Sequence, residues 1–343
     1  MKNLKLFFVF LIIAPLSYAQ EIEEKLEEVK YRNIGPFRGG RSVSSVGVVN
    51  DPLTYYMGTA GGGLWKTTNA GSEWFNISDD YFKTSSVGAI AVSESDSRII
   101  YVGMGEHSPR GVTTSYGDGI YKSTDAGETW EHLGLDNTQQ VSRIIIHPDD
   151  NNIVYVAAQG AINGPTKERG VYKSIDGGKT WKNVLFVNEL SGASELSIDI
   201  NNPKVLYATM WEHQRLPWKV ISGGEGSGVY KSTDGGENWF KIENGLPDEL
   251  GKLAISVSRA NSNKVYLLAE SDTNKRLGGL FVSNDAGESW SRVSKFAELT
   301  SRAWYYIEVF ADPNDENTVY VLSARAFRSI DGGKTWERIY SGH

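Results

Sequence analysis

The sequence predicts an all-β fold, a β-propeller of four-stranded antiparallel blades, with six complete blades here and seven in the intact protein. Three observations predict it. A degenerate octapeptide recurs six times, ending at Trp74, Trp130, Trp181, Trp239, Trp290 and Trp336, so successive copies lie 56, 51, 58, 51 and 46 residues apart, the spacing of a repeat architecture. Four strand signals surround each copy in a fixed order. The composition, with 37 Gly, 10 Pro, 10 Trp and 17 Tyr in 343 residues, suits short aromatic strands joined by tight turns.

The chain opens with Lys2 and Lys5 before an apolar run, Leu6 to Leu16, and Ser17-Tyr18-Ala19 supplies the small residues of a cleavage site. Residues 1–19 are therefore expected to be a cleaved signal peptide that delivers the protein to the periplasm or the cell exterior. The run is too short to span a bilayer, and no later stretch is apolar for long enough to be a transmembrane segment. Residues 20–30 read as a linker and 31–343 as the propeller. With no Cys, disulfides, thiol catalysis and Cys-based zinc sites are excluded together. The net charge of −7 becomes −9 once Lys2 and Lys5 are removed, and an acidic surface without basic clusters repels phosphate backbones, so nucleic acid is not an expected partner.

Within the propeller, Tyr31-Arg32-Asn33-Ile34 reads like a fourth strand that lacks its octapeptide. A ring closed by sharing a blade between the chain ends would use it as the outer strand of a last blade, whose other strands, and perhaps a further domain, are expected beyond His343. Each complete unit then begins with an apolar first strand: Val87 to Val92, Val141 to Ile146, Leu196 to Ile200, Leu253 to Val257 and Tyr305 to Phe310. A polar turn leads to a second strand containing Tyr, as in IIYVG or VLYAT. After a connection of variable length a third strand such as GVYKS runs into the octapeptide, and residues such as WKNV form the fourth. In the octapeptide SIDGGKTW, the Ser hydroxyl and Asp carboxylate are placed to bond the turn's own N–H groups, Gly takes the tight backbone angles, and Trp is expected to pack between blades.

The pattern S-x-D-x-G-x-T-W resembles the Asp-box, or bacterial neuraminidase repeat, of sialidases, two-propeller xyloglucanases and sortilin-type propellers, and it covers essentially all of residues 43–340. The resemblance implies that the boxes lie on an outer rim away from any ligand. Asp125, Trp130, Asp176, Trp181, Asp234, Trp239, Asp285, Trp290, Asp331 and Trp336 are accordingly read as structural. It also implies where chemistry would stand. In the xyloglucanases a catalytic Asp occupies a Thr-Asp-x-Gly-Gly segment at the end of the first blade's second strand, and its partner comes from the second propeller. The matching segment here is Thr59-Ala60-Gly61-Gly62-Gly63, with Ala60 at that Asp position. The Arg-Ile-Pro segment of sialidases is absent.

Because strands alternate in direction, connections between second and third strands emerge opposite the Asp-boxes, and these are the long ones: 105–119, 159–170, 210–228 and 270–279. Insertions that share one face of a repeat protein build its binding surface. Tyr116, Arg110, Trp211, His213, Arg215 and Trp218 are candidate ligand contacts there, joined by Arg38 and Arg41 of the FRGGR segment. Trp211 and Trp218 either stack on a sugar or peptide or fold the long connection onto the blade top. For Arg38 and Arg41 the tying of neighbouring carbonyls is the favoured role. Glu106, Glu212 and Glu270 stand four or five residues after the second-strand Tyr and are weak catalytic candidates; a solvated acidic rim is the simpler reading. The five His show no metal spacing, DPNDEN at 312–317 reads as a turn rather than a calcium loop, and no cofactor is expected. The expected function is recognition of an extracellular glycan or peptide on this face. The competing reading is the N-terminal part of a xyloglucanase-like glycoside hydrolase, and a third is an assembly scaffold.

Overall fold

The structure, a computed structural model, describes residues 40–339 apart from 111–113, 272, 273 and 275. The expected signal peptide, linker, spare strand and Arg38 lie outside the described residues.

Among the described residues six antiparallel sheets follow one another, and the four blade strands of each are hydrogen-bonded in sequence order. Blade 1 comprises β1 (Ser42–Val48), β2 (Asp51–Thr59), β3 (Leu64–Thr67) and β4 (Phe75–Asn76); blade 2 comprises β5 (Val87–Val92), β6 (Ile100–Met104), β7 (Ile120–Ser123) and β8 (Glu131–His132). Blade 3 holds β9 (Val141–Ile146), β10 (Val154–Ala158), β11 (Gly170–Ser174) and β12 (Lys182–Leu185). Blade 4 holds β13 (Ser191–Ile198), β14 (Leu206–Arg215), β15 (Val220–Ser222), β16 (Gly228–Ser232) and β17 (Phe240–Ile242). Blade 5 is β18 (Leu253–Val257), β19 (Val265–Ala269), β20 (Gly279–Ser283) and β21 (Ser291–Ser294); blade 6 is β22 (Glu308–Ala311), β23 (Val319–Leu322), β24 (Ala326–Ser329) and β25 (Glu337–Ile339). The first strands of successive blades touch, β1 with β5, β5 with β9, and so on to β22, which makes them the inner strands of the propeller.

Three strand boundaries differ from expectation, the first being the inner strand of blade 4, expected from Leu196 to Ile200, which runs Ser191–Ile198 and so takes in Glu195. The inner strand of blade 6 begins at Glu308 rather than Tyr305, because residues 301–305 form a turn after a short 3-10 helix, Ala297–Thr300. The connection expected from Met210 is not a loop at its start: β14 continues to Arg215 and β15 pairs back onto it, with His213 opposite Ser222 and Arg215 opposite Val220.

The core lies between blades rather than within one. The junction of blades 1 and 2 gathers Tyr56, Leu64, Val87, Ile90, Ile100, Val102, Met104 and Trp130, and each later junction repeats this composition. Apolar burial of this kind, at about 25 cal/mol per Å², is what holds sheets that share no backbone ladder. Two polar devices set the register across the junctions. The second-strand Tyr hydroxyl donates to a turn carbonyl of the next blade: Tyr56 to Ala126 at 3.1 Å, Tyr101 to Gly177 at 3.0 Å, Tyr155 to Gly235 at 2.8 Å, Tyr207 to Ala286 at 2.8 Å and Tyr266 to Glu316 at 2.5 Å. The box Trp reaches the other way. Trp130 Nε1 donates to the Ile77 carbonyl at 3.0 Å and Trp181 Nε1 to Leu133 at 2.9 Å, both just past the outer strand of the preceding blade.

Inside each box the expected local bonds are present. Ser123 Oγ donates to Asp125 Oδ1 at 2.7 Å and accepts from Gly127 N at 2.8 Å, while Thr129 gives its N–H and its hydroxyl to the two Asp125 oxygens at 2.9 and 2.6 Å. The same set surrounds Asp176 and Asp331. The Thr hydroxyl, then the Thr N–H, holds the Asp125 and Asp176 carboxyls down at about 2. The second residue of the turn pair is Gly in every copy, where φ is positive in all six, and in all but Gly71 a Cβ would also crowd a neighbour. Gly178 has φ +92, and a Cβ there would stand 2.5 Å from Leu133 Cδ1 of the preceding blade. The first position tolerates a side chain, since Ala70, Ala126 and Ala286 adopt φ of 56 to 60.

Candidate ligand face around the axial channel

The boxes and the turns between first and second strands share one face, so the long connections gather on the other. The start of each inner strand opens on that same face, which brings the connections to the mouth of the axial channel.

Charged side chains fill that mouth. Arg143, in β9, donates through Nη2 to Glu195 Oε2 of β13 at 2.7 Å and, through Nε, to Oε1 of the same carboxylate. Its Nη2 also lies 3.3 Å from Glu308 Oε2 of β22. One guanidinium thus ties blade 3 to blades 4 and 6. Glu308 Oε1 faces His107 Nε2 of the blade 2 connection at 3.6 Å. Burial raises the Glu195 carboxyl above its ordinary range despite Arg143; at Glu308 burial is outweighed by Arg143, His107 and Lys252 together, and its carboxyl is held low. Lys252, which precedes β18, is buried, and burial lowers its ammonium to about 8.

Beside this cluster a buried stack fills the space under the blade 4 connection. Trp211 is fully buried, with its ring stacked on His213 at 4.2 Å and edge-on to Trp304 at 5.1 Å, and the Lys252 ammonium lies 4.9 Å from its centroid. Arg169 is fully buried too. It donates to the carbonyls of Gln159 at 2.9 Å and Gly164 at 3.1 Å, and its Nη1 stands 3.4 Å from the His213 ring nitrogens. Burial first, then Arg169, keeps His213 well below its usual range, so it is a neutral ring whose Nδ1 donates to the Trp211 carbonyl.

The candidates read from sequence distribute as follows. Trp211 and His213 are interior, with ring faces taken by protein, so the folding role describes them and the stacking role does not. Trp218, at the tip between β14 and β15, is 81% exposed. Arg215 is half-buried and its N–H donates to the Ile162 carbonyl at 2.7 Å. Tyr116 is exposed and its hydroxyl accepts from Asn163 Nδ2 at 2.8 Å, bridging the blade 2 and blade 3 connections. Arg41 donates to the Tyr305 hydroxyl at 3.1 Å and lies over its ring, joining blade 1 to the segment before blade 6.

All three Glu candidates are engaged. Glu106 is buried and accepts from Arg110 Nη2 at 2.8 Å and Ser115 N at 3.2 Å, closing its own connection. Glu212 accepts from Gly226 N at 3.0 Å, and a Cβ at Gly224 would fall 2.4 Å from its carboxyl carbon. Glu270 accepts from Ser222 Oγ at 2.6 Å and Lys252 N at 3.1 Å. Sequence reasoning missed Arg143, Glu195, Lys252 and Glu308. Their signal was a charge placed within or just before an apolar inner strand, as in VSRIII and YIEVF.

Two family models match the chain: the sortilin–Vps10 model (sortilin, neurotensin receptor 3) over residues 118–277, and the BNR/Asp-box repeat over residues 327–338, the box of blade 6. The chain is an Asp-box β-propeller. A xyloglucanase of Paenibacillus sp is 23% identical across 92% of this chain and 33% of its own length. Among solved structures, an ancestral GH74 enzyme superposes with a TM-score of 0.65 at 18% identity, covering 87% of this chain and 40% of that one. A structure of YCF48 bound to D1 peptide gives 0.52 at 14% identity, covering 86% and 84%. These likenesses show the fold. The propeller spans about a third of the length of the curated relatives it matches. At the position that the xyloglucanase resemblance gives to an Asp, Ala60 is buried at the end of β2, its N–H donating to the Arg41 carbonyl at 2.9 Å, and it has no group to move a proton. Among the described residues no cluster of three or more His, Cys, Asp or Glu is arranged to hold a metal, and no helix is long and apolar enough to cross a membrane.

Proposed function

We propose that this propeller is exported by residues 1–19 and recognises an extracellular carbohydrate on the face opposite its Asp-boxes, without cleaving it. The observation that carries the reading is the β14–β15 hairpin, which presents Trp218 to solvent at its tip while Glu212 and Gln214 of its first strand line a groove of about 670 Å³. That groove is walled by the amides of Asn188 and Gln214, the carboxylates of Glu189, Glu212 and Glu225, and the apolar Pro165 and Leu190. Amides and carboxylates bond sugar hydroxyls, and an exposed indole offers a flat apolar surface to the ring. The matched xyloglucanases support a carbohydrate, and Ala60 supports recognition without hydrolysis. The competing reading is a glycoside hydrolase whose groups partly lie outside this chain; against it, the three sequence candidates already have partners, Glu106 and Glu212 within their own connections and Glu270 at Ser222 of the preceding blade and the Lys252 N–H of its own.

The test is retention of the protein on immobilised xyloglucan and other β-glucans, alongside reducing-sugar release. The expected result is retention without release, lost in Trp218→Ala. Release by the full chain that disappears in Glu106→Gln or Glu212→Gln would establish the hydrolase instead. Binding to an extended peptide and to no polysaccharide would replace the ligand class.

A further inference from the structure

Blades 1 and 6 stand at the two ends of the described array, and each keeps the chemistry of a blade interior on its free side. The residue before the second-strand Tyr packs against the preceding blade at every junction: Ile100, Val154, Leu206, Val265 and Val319 are all fully buried there. Their counterpart in blade 1 is Tyr55, which is 39% exposed. Met57, the counterpart of the fully buried Val102 and Val156, is half-buried opposite Trp65. The inner strand departs, with Ser45 and Gly47 where β5 has Ile90 and Val92, so apolar contact on this side falls to the second and third strands. On blade 6, Phe310, Tyr320 and Leu322 are half-buried where the counterpart Tyr of every other blade is covered by its neighbour. A repeat that terminates an array carries a polar outer face; these two present aromatic rings instead.

The polar devices of the junctions are half-made at the same two places. Five second-strand Tyr hydroxyls donate to the next blade, whereas Tyr320, the sixth, reaches Asp312 Oδ2 of its own blade at 3.4 Å. The Ala70 carbonyl of blade 1, counterpart of the Ala126 and Gly177 acceptors, receives no hydrogen bond from a described residue. Trp336 Nε1 joins Trp130 and Trp181 in donating to the preceding blade, to Ser294 Oγ at 3.1 Å, but Trp74 Nε1 of blade 1 has no acceptor among the described residues. Between the two free sides lies a cavity of about 360 Å³, walled by Ser45 of β1 and by Phe310 and Leu322 of blade 6.

We infer that the seam between blades 6 and 1 seats one further four-stranded sheet of the Asp-box kind, carried on the same polypeptide and following β25 as β5 follows β4. Its second-strand Tyr donates to the Ala70 carbonyl, its turn carbonyl accepts from Tyr320, a carbonyl just past its outer strand accepts from Trp74, and its apolar side covers Tyr55 and Met57. A second copy of this chain answers these needs poorly. Each end of its array offers one free side, whereas the seam calls for a single sheet with both sides open. The seat is the last blade expected from the sequence, and it does not depend on the carbohydrate reading.

The chain has no Cys, so Tyr55→Cys places a single thiol on the free side of blade 1. The experiment compares maleimide labelling of this variant in the 343-residue chain and in the same chain extended after His343 by a copy of blade 5, residues 247–294, which brings Tyr266 and Trp290 with it. The thiol is expected to label readily in the parent and about tenfold more slowly or less in the extended chain, because a covered site labels only when it opens. Ile175→Cys, exposed on the Asp-box rim, should label equally in both. Tyr320→Phe should lower the urea midpoint of the extended chain more than that of the parent, since only the former gives the hydroxyl a carbonyl on a next blade. A copy of blade 2, residues 78–132, serves as the second extension. Labelling at position 55 that neither extension slows overturns the seat. Slow labelling in the parent itself also overturns it and would mean that blades 1 and 6 close on each other. Labelling of the parent that slows as its concentration rises does so too, and would put a second copy of this chain in the seam.

Discussion

At the residue scale, five tyrosines and the box tryptophans carry the junctions between blades. Burial raises the Tyr56 and Tyr155 phenols to about 12, so these hydroxyls remain donors across the physiological range. The Ala286 carbonyl receives Tyr207, whereas the Gly177 carbonyl receives both Tyr101 and the Lys122 ammonium at 3.0 Å. Tyr207→Phe is therefore expected to lower stability by about 1 kcal/mol and Tyr101→Phe by less, because Lys122 still satisfies the acceptor. Trp290→Ala, which empties the most enclosed of the box indoles at 4% exposure, should lower it by about 3–5 kcal/mol. Urea unfolding of the three variants gives the order directly, and a Trp290→Ala shift no larger than that of Tyr207→Phe would contradict the packing role. The Tyr was visible in the sequence as a fixed letter of every second strand. Its role was not, because the acceptor is a backbone carbonyl some 50 to 80 positions later and carries no sequence signal.

At the scale of the element, the Asp-box works through oxygen acceptors rather than through charge. Blade 1 has Asn69 at the Asp position, and its Oδ1 accepts from Glu73 N at 2.9 Å and from the Thr67 hydroxyl at 3.0 Å, as the carboxylates do in the other blades. Asp176→Asn should therefore lower the melting temperature less than Asp176→Ala. Acid separates the two chemistries. Asp125, Asp176, Asp234 and Asp285 are held at about 2 against an ordinary 3.8, so their contribution is complete above about pH 4 and is lost as pH falls through about 2. Melting temperatures measured down this range should fall, and the decline should be shallower in Asp176→Asn; parallel slopes would show that the carboxylates do not titrate with folding. The boxes were legible because the Ser, Asp and Thr bonds that shape the turn join residues no more than four positions apart. The β14–β15 hairpin was less so: Trp211, His213 and Arg215 alternate as a strand should, but Pro217 and the glycines of GGEGSG mark the same stretch as loop, and the pairing that extends β14 is a tertiary choice.

At the scale of the whole propeller, the repeat explains how neighbours pack but not what spans the axis. Sequence periodicity fixes six equivalent blades and so describes only nearest-neighbour interfaces. Arg143, Glu195 and Glu308 occupy the same inner-strand position in three blades, each two residues before the partner of the second-strand Tyr, and only the curving of the array turns that position toward the axis, which is why the inner charges read in the sequence as interruptions of apolar strands. Their physics differs from that of the rim pairs such as Lys231 with Glu288, which solvent screens. The Arg143 side chain is 27% exposed, against 6% for Glu195 and 11% for Glu308, so removing the cation strands two carboxylates in a poorly solvated place. Arg143→Met should lower stability by about 3–5 kcal/mol near neutral pH, the usual penalty for breaking a buried pair from one side. With Arg143 gone, burial acts on both carboxyls with less to oppose it, both pKa values rise, and protonation becomes the route to relief. The deficit should therefore be largest at about pH 8 and shrink toward about pH 5, the opposite sign to the acid sensitivity of the boxes. The triple variant Arg143→Met, Glu195→Gln, Glu308→Gln should recover much of the loss at the higher pH, since no charge is then left unpaired. Chemical denaturation of the single and triple variants at both pH values checks this, and a deficit in Arg143→Met that is independent of pH would mean that the guanidinium serves the channel by filling space rather than by neutralising it.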